Sequence, residues 1–138
     1  MTVEETIVFD EYIAMKKVPE PVAWAMRRLC EKVKAARPDA VMFHTDAQLC
    51  FRTPYSRNGN GIEIQAAKKN FRISLRKPNN PEYQKGDGTG TGKCFYRFFI
   101  VLEIDRYHPE VTDEKYEELV FDAALDSYDQ AVEEYKCH

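Results

Sequence analysis

The chain has 138 residues, the size of one domain built round a single hydrophobic core. With 43% hydrophobic and 31% charged residues it has the make-up of a globular protein, which excludes collagenous, coiled-coil and fully disordered classes. The net charge of −3 is small, and no apolar run nears the ~20 residues of a membrane span, so no membrane partner is expected.

In chain order, Ile7, Phe9, Tyr12 and Ile13 form the apolar side of a short helix predicted over residues 9–16, which Pro19 and Pro21 interrupt. Pro21 suits the first turn of a second helix, where a missing N–H costs nothing. Val22, Met26, Leu29 and Val33 then recur on one helical face, with Arg27, Arg28, Glu31, Lys32 and Lys34 on the other, until Pro38 stops the run. The middle switches to period two. Strands are predicted over 47–53, 61–66 and 70–76, with Ile62 and Ile64 and then Phe71, Ile73 and Leu75 pointing inward. The turns between them carry Asn58-Gly59-Asn60-Gly61 and Lys68-Lys69-Asn70, so the three strands read as an antiparallel meander with one wet face.

Residues 78–93 are rich in proline and glycine and read as a long surface loop. An apolar strand is predicted over 95–104. Thr112 or Asp113 then caps a C-terminal helix whose core stripe is Tyr116, Leu119, Val120, Ala123, Ala124, Tyr128, Ala131, Val132 and Tyr135. The expected fold is a single α+β domain over 1–138, with the helices packed on one face of a four-stranded antiparallel sheet. Four cysteines at 30, 50, 94 and 137 form no close pair, and the acidic N-terminus resembles no secretory signal. A cytoplasmic location is the expectation.

No motif points to catalysis. The loop ending in Gly92-Lys93 has Asp87 where a phosphate-binding loop needs glycine and Cys94 where it needs Ser or Thr, and a strand follows instead of a helix. His44, His108 and His138 converge with no nucleophile, and Cys50 and Cys94 read as core thiols. Glu63 to Lys68 resembles half of a nuclease site but lacks the earlier acidic residue. The reading leans against an enzyme and calls for no cofactor.

Charge is strongly segregated along the chain. Residues 1–50 carry 7 basic and 8 acidic side chains, residues 51–97 carry 10 and 3, and residues 98–138 carry 3 and 12. Segregation of this kind bears on partners rather than on fold. Arg52, Arg57, Lys68, Lys69, Arg72 and Arg76, with Tyr55 interleaved, are the candidate binding residues. Arg72 and Arg76 share the outward face of one strand, and Arg52 is expected alongside them, a surface able to track phosphates. Nucleic acid or an acidic protein is the partner this predicts; docking to one defined protein, or self-association, is the competing reading. On the last helix Glu114, Glu118, Asp122 and Asp126 follow one another at i+4, and Asp129 and Glu133 extend this costly column, which reads as a solvated face or a weak site for a hard cation such as iron.

Phe9-Asp-Glu-Tyr-Ile, the helix from Val22 to Lys34, Arg37-Pro-Asp-Ala and the following meander resemble the small YdhG-like α+β domains of bacterial proteins. The stretch from Gly61 to Leu75 and the helix containing Ser127-Tyr128 are similar to a sister group, the domain often appended to predicted restriction-endonuclease-like proteins. The resemblance implies a helix–meander–helix fold and, by association, an accessory role near nucleic-acid enzymes. It also implies a frataxin-like iron carrier as an alternative. It carries over no catalytic residue, and residues 78–93 are an insertion relative to both patterns.

Overall fold

Thr2 starts the first helix. Its hydroxyl accepts from the Glu5 backbone N–H at 3.1 Å while the Glu5 carboxylate accepts from the Thr2 N–H at 2.9 Å, a reciprocal cap that satisfies two orphan donors. α1 (Val3–Lys16) therefore begins six residues before the expected start at Phe9, and it buries Phe9 and Tyr12. It ends in a Schellman motif, with Lys17 N–H on the Ala14 carbonyl at 3.2 Å and Val18 N–H on the Ile13 carbonyl at 3.1 Å. α2 (Glu20–Ala36) carries Pro21 in its first turn and buries Val22, Ala25, Met26, Leu29, Cys30 and Val33, the face its spacing predicts.

The computed structural model describes residues 1–75, 98–102 and 114–136. The loop over 78–93, the Thr112 or Asp113 cap, and the side chains of Tyr116 and Leu119 lie outside the described residues. Five strands follow α2: β1 (Val41–His44), β2 (Leu49–Arg52), β3 (Asn60–Ala66), β4 (Phe71–Leu75) and β5 (Phe98–Leu102). They pair in sequence order, each antiparallel to the next, as a meander. β1 is one strand more than the sequence reading found, because Val-Met-Phe-His has no polar alternation to mark it.

The register sorts the side chains into two faces. Met42, Leu49, Phe51, Ile62, Ile64, Phe71, Ile73 and Leu75 share one face and form a single core with all three helices. Val41, Phe43, Cys50, Arg52, Glu63, Gln65, Arg72 and Ser74 occupy the other. The last helix, α3 (Glu114–Lys136), lies over β3 and buries Val120, Ala123, Ala124, Tyr128 and Ala131, the expected stripe within the described side chains. It comes closest where the β2–β3 register shifts beside Arg52. A Cβ at Gly61 would stand 2.6 Å from the Tyr128 Cα, so only glycine admits the helix there. The buried Ser127 hydroxyl donates to the Gly61 carbonyl at the same point.

One side chain joins α1 to the end of this sheet. The β2–β3 register pairs Leu49 with Ile64, so the next rung of that ladder would join Ala47 to Ala66. There the Tyr12 hydroxyl donates to the Ala47 carbonyl at 3.0 Å and accepts from the Ala66 N–H at 3.1 Å. Tyr12 is fully buried and acts as a replacement rung. Tyr12→Phe keeps the ring and orphans both backbone groups, so we expect a loss of about 2 kcal/mol in denaturant unfolding with an unchanged m-value.

Candidate functional site

The cations of α2 are all taken up by partners within the chain. Arg27 pairs with Asp10 at 2.8 Å and lies over the Phe9 ring, and Lys34 binds the Glu5 carboxylate at 2.8 Å and the carbonyls of Pro38 and Ala40. Arg28, at 2.8 Å, and Lys32 both reach Glu117 of α3, a carboxylate only 2% exposed. Just beyond α2, Arg37 makes a two-pronged contact with Asp129, both bonds at 2.8 Å. Burial raises the Glu117 pKa, but the hydrogen bonds from Arg28 and Lys32 and their charges outweigh it, and the carboxyl ionises below its ordinary 4.5.

Glu117 stands outside the i+4 column read from the sequence, whereas Asp129 is one of the residues that extend it, and these two are the members of the acidic helix that hold basic residues of α2 and its end. Within the column Glu118 and Asp122 are exposed, Asp126 accepts from Gln130 at 2.9 Å, and the Glu114 side chain is outside the described residues. Among the described residues no three His, Cys, Asp or Glu side chains converge as a metal site would require. Cys30 is fully buried, and burial pushes its thiol far above the ordinary range, away from any nucleophilic role. His44 holds Glu11 at 3.2 Å.

The sheet divides the candidate basic residues between its two ends. Arg52 pairs across the strands with Asn60, and Arg72 with Gln65, five residues further along β3, or about 17 Å at the usual rise. The register therefore places Arg52 away from Arg72, while its position against Arg76 lies outside the described residues. Glu63, which accepts from Asn60 at 3.2 Å, and Gln65 share this face with the arginines. Arg52 packs over the Phe43 ring at 5.8 Å, and the β2–β3 loop holds Tyr55 and Arg57, both exposed, at its end of the sheet. Lys68 and Lys69 are exposed in the β3–β4 turn at the opposite end. Arg72, also exposed, reaches Gln65 beside them at 2.5 Å. Arg76 lies outside the described residues.

At this second end the fold adds two lysines that the sequence reading did not single out. The Tyr12 rung brings the C-terminus of α1 to the end of β3, and a cleft of about 160 Å³ opens there, lined by Lys16, Lys17, Pro19, Ala66 and Lys68. Lys16, Lys17, Lys68 and Lys69 make no ion pair among the described residues, whereas Arg27, Arg28, Lys32 and Lys34 of α2 are all paired. Lys17 has φ 51° and ψ 48°, the only positive φ outside glycine among the described residues. A lysine in that region costs about 1 kcal/mol where glycine costs nothing. Backbone strain of this kind concentrates at functional sites. Two adjacent lysines ending a helix look like ordinary dipole compensation in the sequence; only the turn 50 residues later reveals them as half of a cluster.

Scanned against known protein families, curated proteins and solved structures, the chain matches none.

The buried Glu117 pair gives an asymmetric expectation. Arg28→Met with Lys32→Met leaves a buried carboxylate without its cations and should cost about 3 kcal/mol or more in thermal unfolding. Glu117→Gln leaves two cations that solvent can reach and should cost less. Since the folded carboxyl ionises below 4.5, its contribution is complete above that pH and fades as pH falls through the lower folded value. Acid unfolding of Glu117→Gln should accordingly be shallower than that of the parent below pH 4.5, and parallel curves would contradict the pairing.

Proposed function

We propose that this protein is a non-catalytic binding module of the YdhG-like kind, and that the basic end of its sheet holds an anionic polymer, nucleic acid before an acidic protein. The observation that carries the reading is a group of four lysines without carboxylate partners among the described residues: Lys16, Lys17 and Lys68 line one cleft between α1 and the β3–β4 turn, and Lys69 follows in that turn. Most other described cations sit in a pair or on a ring, and like charges gathered at one place repel until a counter-charge arrives from outside. Arg72, exposed beside the turn, extends the group along β4. Lysines offer point charges without a fixed fork, which suits tracking a phosphate backbone rather than reading bases.

If about four phosphates are contacted, log K should fall with log[salt] at a slope near −3.6, on the order of a hundred-fold between 50 and 200 mM. Fluorescence anisotropy with a labelled oligonucleotide reads this directly. Lys16→Glu with Lys68→Glu should abolish binding at an unchanged Tm, since both side chains are exposed and unpaired. Lys17→Gly separates function from fold: it should raise stability by about 1 kcal/mol by relieving the left-handed backbone, while reducing the salt slope by about one unit. A salt-independent isotherm, or binding indifferent to these lysines, would dismiss the reading. Binding to polyglutamate with none to oligonucleotides would assign the cleft to an acidic protein.

A further inference from the structure

Among the described residues β1 is an edge strand of the sheet, paired with β2 alone. The Thr45 N–H bonds the Gln48 carbonyl at 2.8 Å, which makes Thr45 and Gln48 a hydrogen-bonded pair. Alternation along the ladder then turns the N–H and C=O of Val41 and Phe43 toward β2 and those of Met42 and His44 outward. No backbone partner meets the outward groups of Met42 and His44 among the described residues. β1 is short, but it has no lysine, no proline and no bulge of its own to turn a further strand away.

A groove of about 670 Å³ runs beside the start of this strand, between α1 and the end of α2. Its floor is apolar, from Val8, Ala40, Val41 and Met42, and Glu4 and Glu31 stand on its rim. Both carboxylates are exposed and unpaired among the described residues, while Lys34, which also lines the groove, is already held by Glu5 and two carbonyls. The groove therefore presents an apolar floor under a negative rim. On the flank of α1 above it, Val3 and Ile7 are 79% and 52% exposed.

We infer that the edge of β1 and this groove together form a docking site for an extended peptide with alternating apolar and basic residues. A strand added to β1 satisfies the two outward N–H groups and the two outward carbonyls, which supplies sequence-independent affinity. Its alternate side chains, two residues apart, point to the helix side, where the groove takes their aliphatic stems and Glu4 and Glu31 meet their ammonium or guanidinium heads. The site is separate from the lysine cleft and of opposite charge, so it does not depend on the reading proposed above.

The probes are acetyl-Val-Lys-Val-Lys-Val-amide and its glutamate counterpart, titrated into ¹⁵N-labelled full-length protein. The lysine peptide should shift the Met42 and His44 amides and slow their hydrogen exchange tenfold or more, and the glutamate peptide should bind at least tenfold more weakly. Glu4→Lys with Glu31→Lys, both surface changes, should reverse that preference at an unchanged Tm. No response at Met42 and His44 up to millimolar peptide would overturn the inference, as would equal responses to the two peptides. Concentration-dependent protection of these amides without peptide would also overturn it, by giving the edge to a second copy of the chain.

Discussion

The arrangement rests on one phenol hydroxyl placed where two strands part. β2 and β3 separate after the Leu49–Ile64 pair, and the gap leaves a carbonyl and an N–H facing each other with no backbone in between. Tyr12 fills the gap from a helix 35 residues before one partner and 54 before the other. Because the ring is fully buried, α1 cannot slide along the sheet without breaking both bonds. That position in turn sets the tight turn at Lys17 and the approach of Lys16 and Lys17 to the β3–β4 turn. A core contact thereby determines where surface charge accumulates.

Charge segregation along the chain has two separate physical outcomes. Part of the acidic excess of the last third is met within the molecule, where Glu117 and Asp129 hold Arg28, Lys32 and Arg37. These pairs bring α3 to α2 over sequence separations of about ninety residues and help define how the helical layer closes. The lysines of the β3–β4 turn lie at the far end of β3 from Gly61, where α3 comes closest, and no described carboxylate of that helix pairs with them. The helix reads as an oddity in isolation, since like charges at i+4 repel. It makes sense once the inward members are seen to answer a basic neighbour.

Periodicity revealed the elements that bury a regular stripe. The i, i+4, i+7 spacing of α2 and the strict alternation of Ile62, Ile64, Phe71, Ile73 and Leu75 needed no tertiary knowledge to read. β1 escaped because four residues with an apolar start carry no alternation, and it exists as a strand because β2 offers it a partner. The start of α1 is written in the Thr2-x-x-Glu5 capping pattern, a polar signal that the spacing of apolar residues does not contain. The candidate site was half visible. Lys68, Lys69 and Arg72 stand out by composition, but grouping them with Arg52 and Arg57 followed nearness in sequence, whereas register decides which end of a strand a residue occupies. Glu117 and the hydroxyl of Tyr12 had no local signature, because their partners come from distant elements.

The seat of α3 on Gly61 bears on how the molecule comes into being. Residues 2–75 supply two helices and four strands through mostly near-neighbour contacts, but the face they share stays partly uncovered until Tyr128 and Ser127 arrive from 66 residues downstream. Loop closure over that distance costs entropy before any contact repays it, so the assembly order is local hairpins first and the last helix last. Newly made chains pass through an interval with apolar sheet surface bare to the medium, and the speed of that final docking governs their tendency to clump.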